Sequence, residues 1–392
     1  MTAMQPRLYA RAALTRLKQR SRSCIVANCM LERMCHCCGP GEGWRILRHI
    51  ALNVLLFASV IQPAPTSLDF STESTRILSW ETYWPETAQV EISHSEIALP
   101  FDLINQHHNV LKHSNRALRR KRVVFGEDDR VRIDPAAGGK SFPYTAVMRV
   151  STGCSGIMIS TKHVLTAAHC VHDGQGYRTS ALFLLRAGYI TDDGSTKWSF
   201  VRRFFIPSEW KNLTESGQHV YADWDDYDVA VLEMASDMGD ERDHIPPGLS
   251  GMYCGMSKSI HGAGSKVEYV SFPDDKSRDA LWYVQTRIET ESPHLVYFRG
   301  DAWHGSSGAG LYSWDYNEDT RKYERRTVGV LSGNRDTEKV TKIQGNFNVA
   351  ARLNPVNFML VCHWMGTEEE CKSRYRKYLD SAFQLKDGLC QE

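Results

Sequence analysis

Three short motifs in the second half of the chain contain residue types capable of acid–base and nucleophilic chemistry. The first, Leu165–Cys170, places His169 among small residues that leave room around its ring. The second, Asp228–Leu232, puts a carboxylate at the head of an apolar run, where desolvation is costly without a cation or hydrogen-bond donor. The third, Gly305–Gly310, is a glycine-rich turn with two serines, whose backbone amides can point outward. A serine hydroxyl becomes a useful nucleophile when a base takes its proton and a carboxylate fixes the tautomer of that base.

Two of these motifs offer more than one candidate residue. Three nearby carboxylates compete with Asp228, namely Asp223, Asp225 and Asp226. Asp226 would share a strand face with Asp228 by alternation. We prefer Asp228 because it directly precedes the apolar run. On the residues alone, Ser306 and Ser307 compete for the role of nucleophile.

The elements that must position these residues are predicted to be mainly strands. Short apolar runs recur from residue 123 onward, with turn residues between them, as in Asp192–Gly194 and Pro246–Gly248. This pattern favours an all-β sandwich or barrel over alternating β and α units. The predicted strands lie within Tyr144–Val150, Gly156–Ser160, Leu182–Tyr189, Trp198–Ile206, Asp228–Met234, Leu281–Ile288, Leu295–Phe298, Gly310–Trp314 and Arg326–Leu331. A helix is predicted near the end, where Asn354 and Pro355 form a cap and first turn.

The motifs together resemble those of the chymotrypsin-like (trypsin-like) serine protease family. The most specific match is Thr166–Cys170, with the sequence Thr-Ala-Ala-His-Cys, and the chain order His, Asp, Ser is the chymotrypsin order. The resemblance covers roughly residues 119–371. It implies an all-β, chymotrypsin-like double β-barrel with a C-terminal helix.

The resemblance also implies a role for each candidate residue. His169 is the expected general base, Asp228 its orienting carboxylate, and Ser307, immediately before Gly308, the nucleophile. The backbone amides of Gly305 and Ser307 are the expected oxyanion hole. The implied substrate-binding residues are Asp301 and Ser332. Asp301 suggests cleavage after Lys or Arg, the alternative being a local ion pair with an arginine.

The chain departs from the family pattern at three positions around the expected nucleophile. Zymogens of this family bury a new α-ammonium against an aspartate just before the nucleophile, but Ser306 stands at that position here. An ammonium buried there without a carboxylate would be expensive. Trp303 replaces a pocket-bracing cysteine, and Asn348 lies near a position that is usually glycine. These departures argue against activation by the usual salt bridge and against an open, basic-specific pocket.

Residues 1–67 are predicted to be an N-terminal extension that ends in a secretory signal. Arg45 and Arg48 precede the apolar run Ile50–Ile61, and Gln62–Ser67 form a small, polar exit. The run is shorter than the ~20 residues that span a bilayer. We therefore expect a secreted, extracellular protein without stable membrane insertion.

Residues 68–122 are predicted to be a pro-region and residues 123–392 the protease domain. No run in the pro-region clearly builds a core, and it ends in the basic stretch Arg119–Arg122. A proprotein convertase recognises Arg-x-Lys-Arg through acidic pockets, so we expect cleavage after Arg122. The alternative is a solvated basic loop or heparin-like patch. Asn212 begins a predicted N-glycosylation sequon.

Composition and cysteine positions limit the classes of partner. The 392 residues include 47 basic and 46 acidic side chains, so nothing at whole-chain level indicates nucleic acid. Five of the 11 cysteines precede the apolar run, and six follow residue 123, an even number suited to an oxidising compartment. Cys154–Cys170 is the expected disulfide. The other four allow three pairings, and they are Cys254, Cys362, Cys371 and Cys390.

These observations predict a secreted serine endopeptidase made as a zymogen, with protein or peptide substrates. Acyl-enzyme chemistry needs no metal and no organic cofactor, so we expect neither. The alternative is a secreted pseudo-protease or binding protein that keeps the same fold with little or no turnover.

Overall fold

The computed structural model describes ten stretches of the chain between residues 73 and 373. They are residues 73–100, 124–136, 141–174, 176–179, 184–215, 224–238, 243–252, 259–317, 320–336 and 345–373. The chain divides into two units, Met1–Asp69 and Phe70–Glu392, and all the described residues belong to the second. The predicted signal segment Ile50–Ile61 and the predicted cleavage site at Arg122 lie outside the described residues.

Strands dominate the described residues. In chain order they are β1 (Glu73–Trp84), β2 (Gln89–Pro100), β3 (Val131–Ile133), β4 (Val147–Val150), β5 (Cys154–Met158), β6 (His163–Thr166), β7 (Arg186–Ile190), β8 (Thr196–Pro207), β9 (Ala230–Met234), β10 (Gly251–Met252), β11 (Ser259–Ile260), β12 (Lys266–Ser271), β13 (Leu281–Glu291), β14 (Leu295–Phe298), β15 (Gly310–Asn317), β16 (Lys322–Asp336) and β17 (Asn346–Arg352). Two α-helices are α1 (Ser208–Glu215) and α2 (Pro355–Met365), and residues 368–373 are also helical. No helix within these stretches is long and apolar enough to cross a bilayer.

Twelve of these strands form two closed antiparallel barrels. The first has the order β8-β7-β4-β5-β6-β9, and pairing of β8 with β9 closes it. The second has the order β12-β15-β16-β17-β14-β13, and pairing of β12 with β13 closes it. Closure leaves few free strand edges within each ring. The predicted all-β double barrel is confirmed, and each of the nine predicted runs overlaps a strand.

Helix α2 links the two barrels. It follows β17 of the second barrel, and Asn354 caps its first turn by accepting the N–H of Asn357 at 3.0 Å. The helix ends at Gly366, whose φ of 71° suits glycine. Its buried apolar residues belong to the core of the first barrel, and Trp364 stacks on Phe205 with ring centroids 5.9 Å apart. The predicted C-terminal helix is therefore present and packs on the barrel that precedes it in sequence.

Strands β1 and β2 form an N-terminal hairpin (Glu73–Pro100) that extends the sheet of the first barrel. β1 pairs with β2 along its whole length, and residues 80–83 also pair with residues 204–207 at the end of β8. Leu78, Trp80 and Tyr83 are buried in the core of that barrel. The expectation that no run in the predicted pro-region clearly builds a core is therefore wrong for this hairpin. Its few core residues are interspersed with polar ones and so escape a search for apolar runs.

A buried histidine makes the first barrel sensitive to acid. His163 begins β6, is 3% exposed, and has its Nδ1 atom 2.7 Å from Ser160 Oγ. Burial lowers the pKa of His163 to about 4, since it outweighs the opposing charge of Glu233 and is reinforced by Lys162 and Arg203. The folded chain therefore keeps this imidazole neutral at pH values where an unfolded chain would protonate it.

Replacing His163 is expected to flatten the pH dependence of stability. Between about pH 6.5 and about pH 4 the unfolded chain binds a proton that the folded chain does not, so stability falls as pH falls. In His163→Gln, the drop in melting temperature from about pH 7 to about pH 5 should be smaller than in wild type. His94→Gln, at an exposed position on β2, controls for the loss of an imidazole. An unchanged pH slope in His163→Gln would contradict the prediction.

Candidate active site

Three side chains from separate loops meet between the two barrels. His169 Nδ1 lies 2.7 Å from Asp228 Oδ2, and His169 Nε2 lies 2.7 Å from Ser307 Oγ. The backbone N–H of His169 also donates to Asp228 Oδ1 at 2.8 Å. The three residues are 4%, 1% and 6% exposed, respectively. This geometry lets the imidazole receive the Ser307 proton while the carboxylate holds its Nδ1–H.

The first barrel holds His169 through the turn that follows β6. Ala168–Cys170 form a single 3-10 turn, and β6 is paired on both sides, with β5 and β9. A disulfide joins Cys170 to Cys154 at the start of β5. Ala167 and Ala168 are fully buried, so small side chains let this turn lie against the barrel. The imidazole is thus carried by a turn fixed at both ends.

Asp228 directly precedes β9, and donors from both barrels meet its carboxylate. The Ser332 hydroxyl on β16 donates to the same oxygen that faces His169. Burial alone would raise the pKa of Asp228, but the His169 charge and the hydrogen bonds from His169 and Ser332 bring it below the usual value. Asn357 of α2 donates its amide to the backbone carbonyl of Asp226 at 3.1 Å, which anchors the approach to Asp228.

The competing carboxylates do not take the place of Asp228. Asp228 holds the two contacts to His169 described above. Asp223 lies outside the described residues, as does the side chain of Asp225. Asp226 is two residues away, and its carbonyl is bound by α2.

The turn that carries Ser307 requires glycine on both sides. Gly305 has φ +88°, and an added Cβ would lie 2.3 Å from the carbonyl oxygen of Phe272. Gly308 has φ +78°, and its Cβ would lie 2.1 Å from Thr166 Oγ1 and 2.3 Å from the carbonyl oxygen of Ser155. L-residues rarely adopt such φ values. Glycine therefore lets the turn lie against Phe272 at Gly305 and against the first barrel at Gly308.

Backbone N–H groups are available beside the Ser307 hydroxyl. No described residue accepts a hydrogen bond from the N–H of Gly305 or of Ser307, whereas those of Ser306 and Gly308 donate to carbonyl groups. Two unengaged donors beside a nucleophile are the arrangement that an oxyanion hole requires.

Comparison with known proteins agrees with this geometry. A family model described as Trypsin matches residues 131–286, a range that contains His169 and Asp228. Serine protease 23 of Homo sapiens is 27% identical over 329 residues, covering 78% of this chain and 81% of that protein. Inactive serine protease 35 of Bos taurus is 29% identical over 309 residues, covering 65% and 71%. Together these matches support a chymotrypsin-like serine protease family for this chain.

A solved structure of a Glu endopeptidase also aligns with this chain. The TM-score is 0.46 and the identity 18%, with 62% of this chain and 98% of that one covered.

Ser306 occupies the position at which the chymotrypsin-like family usually has an aspartate. It is fully buried, and its Oγ accepts a hydrogen bond from the Ser271 hydroxyl at 3.0 Å. Two neutral hydroxyls therefore stand where the family places an ion pair. Because Ser307 Oγ, and not that of Ser306, faces His169, the geometry favours Ser307 as nucleophile.

Asp301 is held by the start of the predicted protease domain. Its Oδ1 accepts the backbone N–H of Phe125 at 2.7 Å, and its Oδ2 accepts that of Asp129 at 3.0 Å. The side chain is buried. A substrate-binding role for Asp301 stays a prediction, and any substrate cation would meet a carboxylate that already has two donors.

Two further residues of the expected pocket region are buried. Asn348 donates its amide to the carbonyl of Gly300 at 2.8 Å. Ser332 is placed by its hydroxyl bond to Asp228, so its side chain supports the Asp228 carboxylate. A contact of the Ser332 backbone with substrate stays a prediction.

Ser155 was not among the predicted site residues, although it joins the loop that carries Ser307 to the first barrel. Its N–H donates to the Ser307 carbonyl at 2.7 Å, and its hydroxyl donates to the Gly305 carbonyl at 2.8 Å. The N–H of Phe272 donates to the same hydroxyl at 2.9 Å. The only sequence signal was its place next to Cys154, because these partners are backbone atoms 117 or more residues away.

The remaining predicted residues lie away from this site or outside the described residues. Asn212 falls within the backbone of α1, and its glycosylation stays a prediction. A second disulfide joins Cys362 to Cys371, whereas Cys254 and Cys390 lie outside the described residues.

One group of potential metal ligands includes His169. Among the described residues, Cys154, His169 and Cys170 are close enough to share an ion. The two sulfurs are already joined in a disulfide. They are therefore not available as thiolate ligands.

Gly308→Ala is expected to displace Ser307 and to abolish its reactivity. The added Cβ would clash with Thr166 and Ser155. We expect labelling of Ser307 by a fluorophosphonate probe to slow by ~100-fold or more, together with a lower melting temperature. Gly153→Ala is the matched control, because Gly153 has φ +87° but nothing within 4 Å of its Cβ position. Equal labelling rates in the two variants would contradict the prediction.

Proposed function

We propose that this protein is a secreted serine endopeptidase that hydrolyses peptide bonds through an acyl-enzyme intermediate. The observation that carries the proposal is the hydrogen-bonded series Ser307–His169–Asp228, with 2.7 Å at each link. The two disulfides and the predicted signal segment support an extracellular location. Protein or peptide substrates follow from this chemistry.

In the proposed reaction, Ser307 Oγ attacks the scissile carbonyl carbon as His169 Nε2 takes the hydroxyl proton. The carbonyl π electrons move to oxygen, and the N–H groups of Gly305 and Ser307 stabilise that charge. Collapse of the tetrahedral intermediate breaks the C–N bond, and His169 returns the proton to the leaving amine. Water then repeats the sequence on the ester and releases Ser307.

Asp228 contributes by staying ionised throughout this cycle. Its lowered pKa keeps the carboxylate charged, so it stabilises the imidazolium that forms on His169. Each oxyanion donor typically contributes about 2.7–4 kcal/mol in the transition state. The largest stabilising groups in this mechanism are therefore already in place before substrate binds.

We further propose that the protein is made as a zymogen and that a proprotein convertase cuts it after Arg122. The segment just beyond this site is tied down by backbone bonds from Phe125 and Asp129 to Asp301. Activation would proceed without the usual ion pair, because Ser306 offers no carboxylate.

The second candidate is a secreted binding protein on the same fold with little or no turnover. One of the relatives named above is called an inactive serine protease, and Ser306 removes a charge that the family uses for activation. A triad with hydrogen-bond distances at both links argues for the enzyme. A measurement of Ser307 reactivity distinguishes the enzyme from the binding protein.

A fluorophosphonate probe is expected to label the secreted protein, cut after Arg122, at Ser307. Ser307→Ala should abolish labelling, and Ser306→Ala should retain it because the Ser306 hydroxyl faces Ser271. Asp228→Asn should slow labelling by roughly 10⁴-fold, because the histidine tautomer is then wrong. Labelling is read by intact mass and by tryptic peptide mapping.

Two outcomes would decide against parts of this proposal. An unlabelled wild type would favour the binding protein over the enzyme. Labelling that disappears only in Ser306→Ala would move the nucleophile to Ser306.

The preference for Lys or Arg is a separate prediction, tested on the same material with a peptide library. If a substrate cation reaches Asp301, cleavage should follow Lys or Arg, and Asp301→Asn should remove that preference. Melting temperatures of both proteins control for the two backbone bonds that Asp301 accepts. Cleavage confined to other residues would reject the basic pocket and leave the proposed peptidase activity intact.

A further inference from the structure

The N-terminal hairpin covers a strand edge that would otherwise be open. The first half of β8 pairs with β7 through residues 196–200, and β7 extends no further along that edge. Residues 204–207 of β8 pair with β1 instead. Unpaired strand edges are templates for aggregation, and proteins usually cover them. The hairpin thus extends a sheet whose other strands follow residue 122 in the sequence.

The contact beneath the hairpin is largely aromatic. Tyr83 stacks on Tyr177 with ring centroids 4.0 Å apart, and it packs at 5.1 Å against Phe204 of β8. Trp80 lies 4.6 Å from the ring of His363 on α2. Removing the hairpin would therefore expose these rings on the barrel side as well as its own buried side chains.

A buried charge fixes the position of the hairpin. Glu81 is 5% exposed. Its Oε1 accepts a hydrogen bond from Lys211 Nζ at 2.8 Å, and its Oε2 accepts one from the Tyr177 hydroxyl. Both donors belong to the part of the chain after residue 122. A carboxylate buried with two matched donors specifies one docking geometry, because any shift would leave a buried charge unpaired.

The same contact leads to the catalytic histidine. Tyr177 pairs with His172 in an isolated antiparallel bridge, and the two rings lie 4.9 Å apart, edge to face. The N–H of His172 donates to the carbonyl of Ala168 at 2.9 Å, in the turn that contains His169. The hairpin therefore contacts Tyr177, which pairs with His172. His172 is in turn hydrogen-bonded to the turn that contains His169.

We infer that the N-terminal hairpin stays bound after cleavage at Arg122 as a non-covalent second chain, and that it positions the His169 turn through Tyr177. Three features argue that the hairpin is retained. They are the strand edge that it covers, the buried aromatic contact beneath it, and the pairing of Glu81. The positioning role rests on the proposed peptidase function. Glu81, Tyr83 and Tyr177 act here as positioning residues, without contact to substrate.

Retention is tested on the full secreted protein after it is cut within residues 119–122. A convertase can make the cut, or a site-specific protease whose recognition sequence replaces Arg119–Arg122. We expect the N-terminal fragment to co-elute with the large fragment in gel filtration. The fragments should then separate on a non-reducing denaturing gel, which shows that no disulfide joins them. Separate elution of wild-type fragments under native conditions would overturn the inference.

Contact variants test whether the observed interface is responsible. Glu81→Gln and Tyr83→Ala should each speed release of the hairpin by about tenfold or more, as expected when a charged hydrogen bond or a buried ring is lost. Ile92→Ala is the matched control, because Ile92 lies on β2 of the same hairpin and is 61% exposed. Release at the wild-type rate in both contact variants would reject this interface.

The positioning role is tested by two readouts on wild type, on cut protein stripped of the hairpin, and on Tyr177→Phe. Stripping should slow fluorophosphonate labelling of Ser307 by about tenfold, and Tyr177→Phe should cause part of that loss. The Nδ1–H proton resonance of His169 should shift or exchange faster in the stripped protein. Adding the hairpin fragment back should restore both signals. Unchanged labelling and an unchanged resonance after stripping would overturn the positioning role.

The two readouts separate this inference from the proposed function. If no form is labelled, the peptidase proposal fails. Co-elution still decides retention, and the His169 resonance still decides positioning. If all forms are labelled equally fast and the His169 resonance is unchanged, the peptidase proposal stands and the positioning role fails.

Discussion

The rest of the site depends on one buried carboxylate, that of Asp228. A charge that is 1% exposed is expensive unless donors surround it. Here the donors are the backbone N–H and the ring of His169 from the first barrel and the Ser332 hydroxyl from the second. Both barrels must be in place before all of these donors reach the carboxylate. Packing of the two barrels and assembly of the Ser307–His169–Asp228 geometry therefore depend on each other. Ser155 adds a second link of the same kind between the first barrel and the nucleophile turn.

The sequence predicts those parts of this site whose chemistry is local. Glycines around Ser307 and the small residues around His169 are visible as motifs, and their physical reasons hold in the structure: Gly308 has no room for a Cβ. Short apolar runs and turn residues were enough to predict nine of the twelve barrel strands, and β6, β12 and β17 were not predicted. Asp228 was preferred over Asp226 for its place before an apolar run, and in the structure it is Asp228 that contacts His169. Its catalytic role stays a prediction.

The parts that escaped prediction depend on partners far away in the chain. The hairpin contains Glu81, and glutamate is a residue type that is usually exposed to solvent. Glu81 can be buried because Lys211 and Tyr177 donate hydrogen bonds to its carboxylate. Asp301 was assigned to a substrate cation, yet its donors are two backbone N–H groups about 170 residues earlier. Backbone donors have no signature in residue type, so no reading of side chains alone finds them.

The contrast between Ser306 and Asp301 bears on how cleavage relates to the nucleophile turn. In chymotrypsin-like zymogens, cleavage creates an α-ammonium that pairs with the aspartate before the nucleophile. Here that position holds a neutral hydroxyl pair, Ser306 with Ser271. The nearby carboxylate is Asp301, and its partners are N–H groups of Phe125 and Asp129. Those N–H groups exist before and after cleavage at Arg122, and no charge has to be created for them to donate. The start of the predicted protease domain is therefore held at Asp301, and not at the Ser306 position, by contacts that the uncleaved chain already makes.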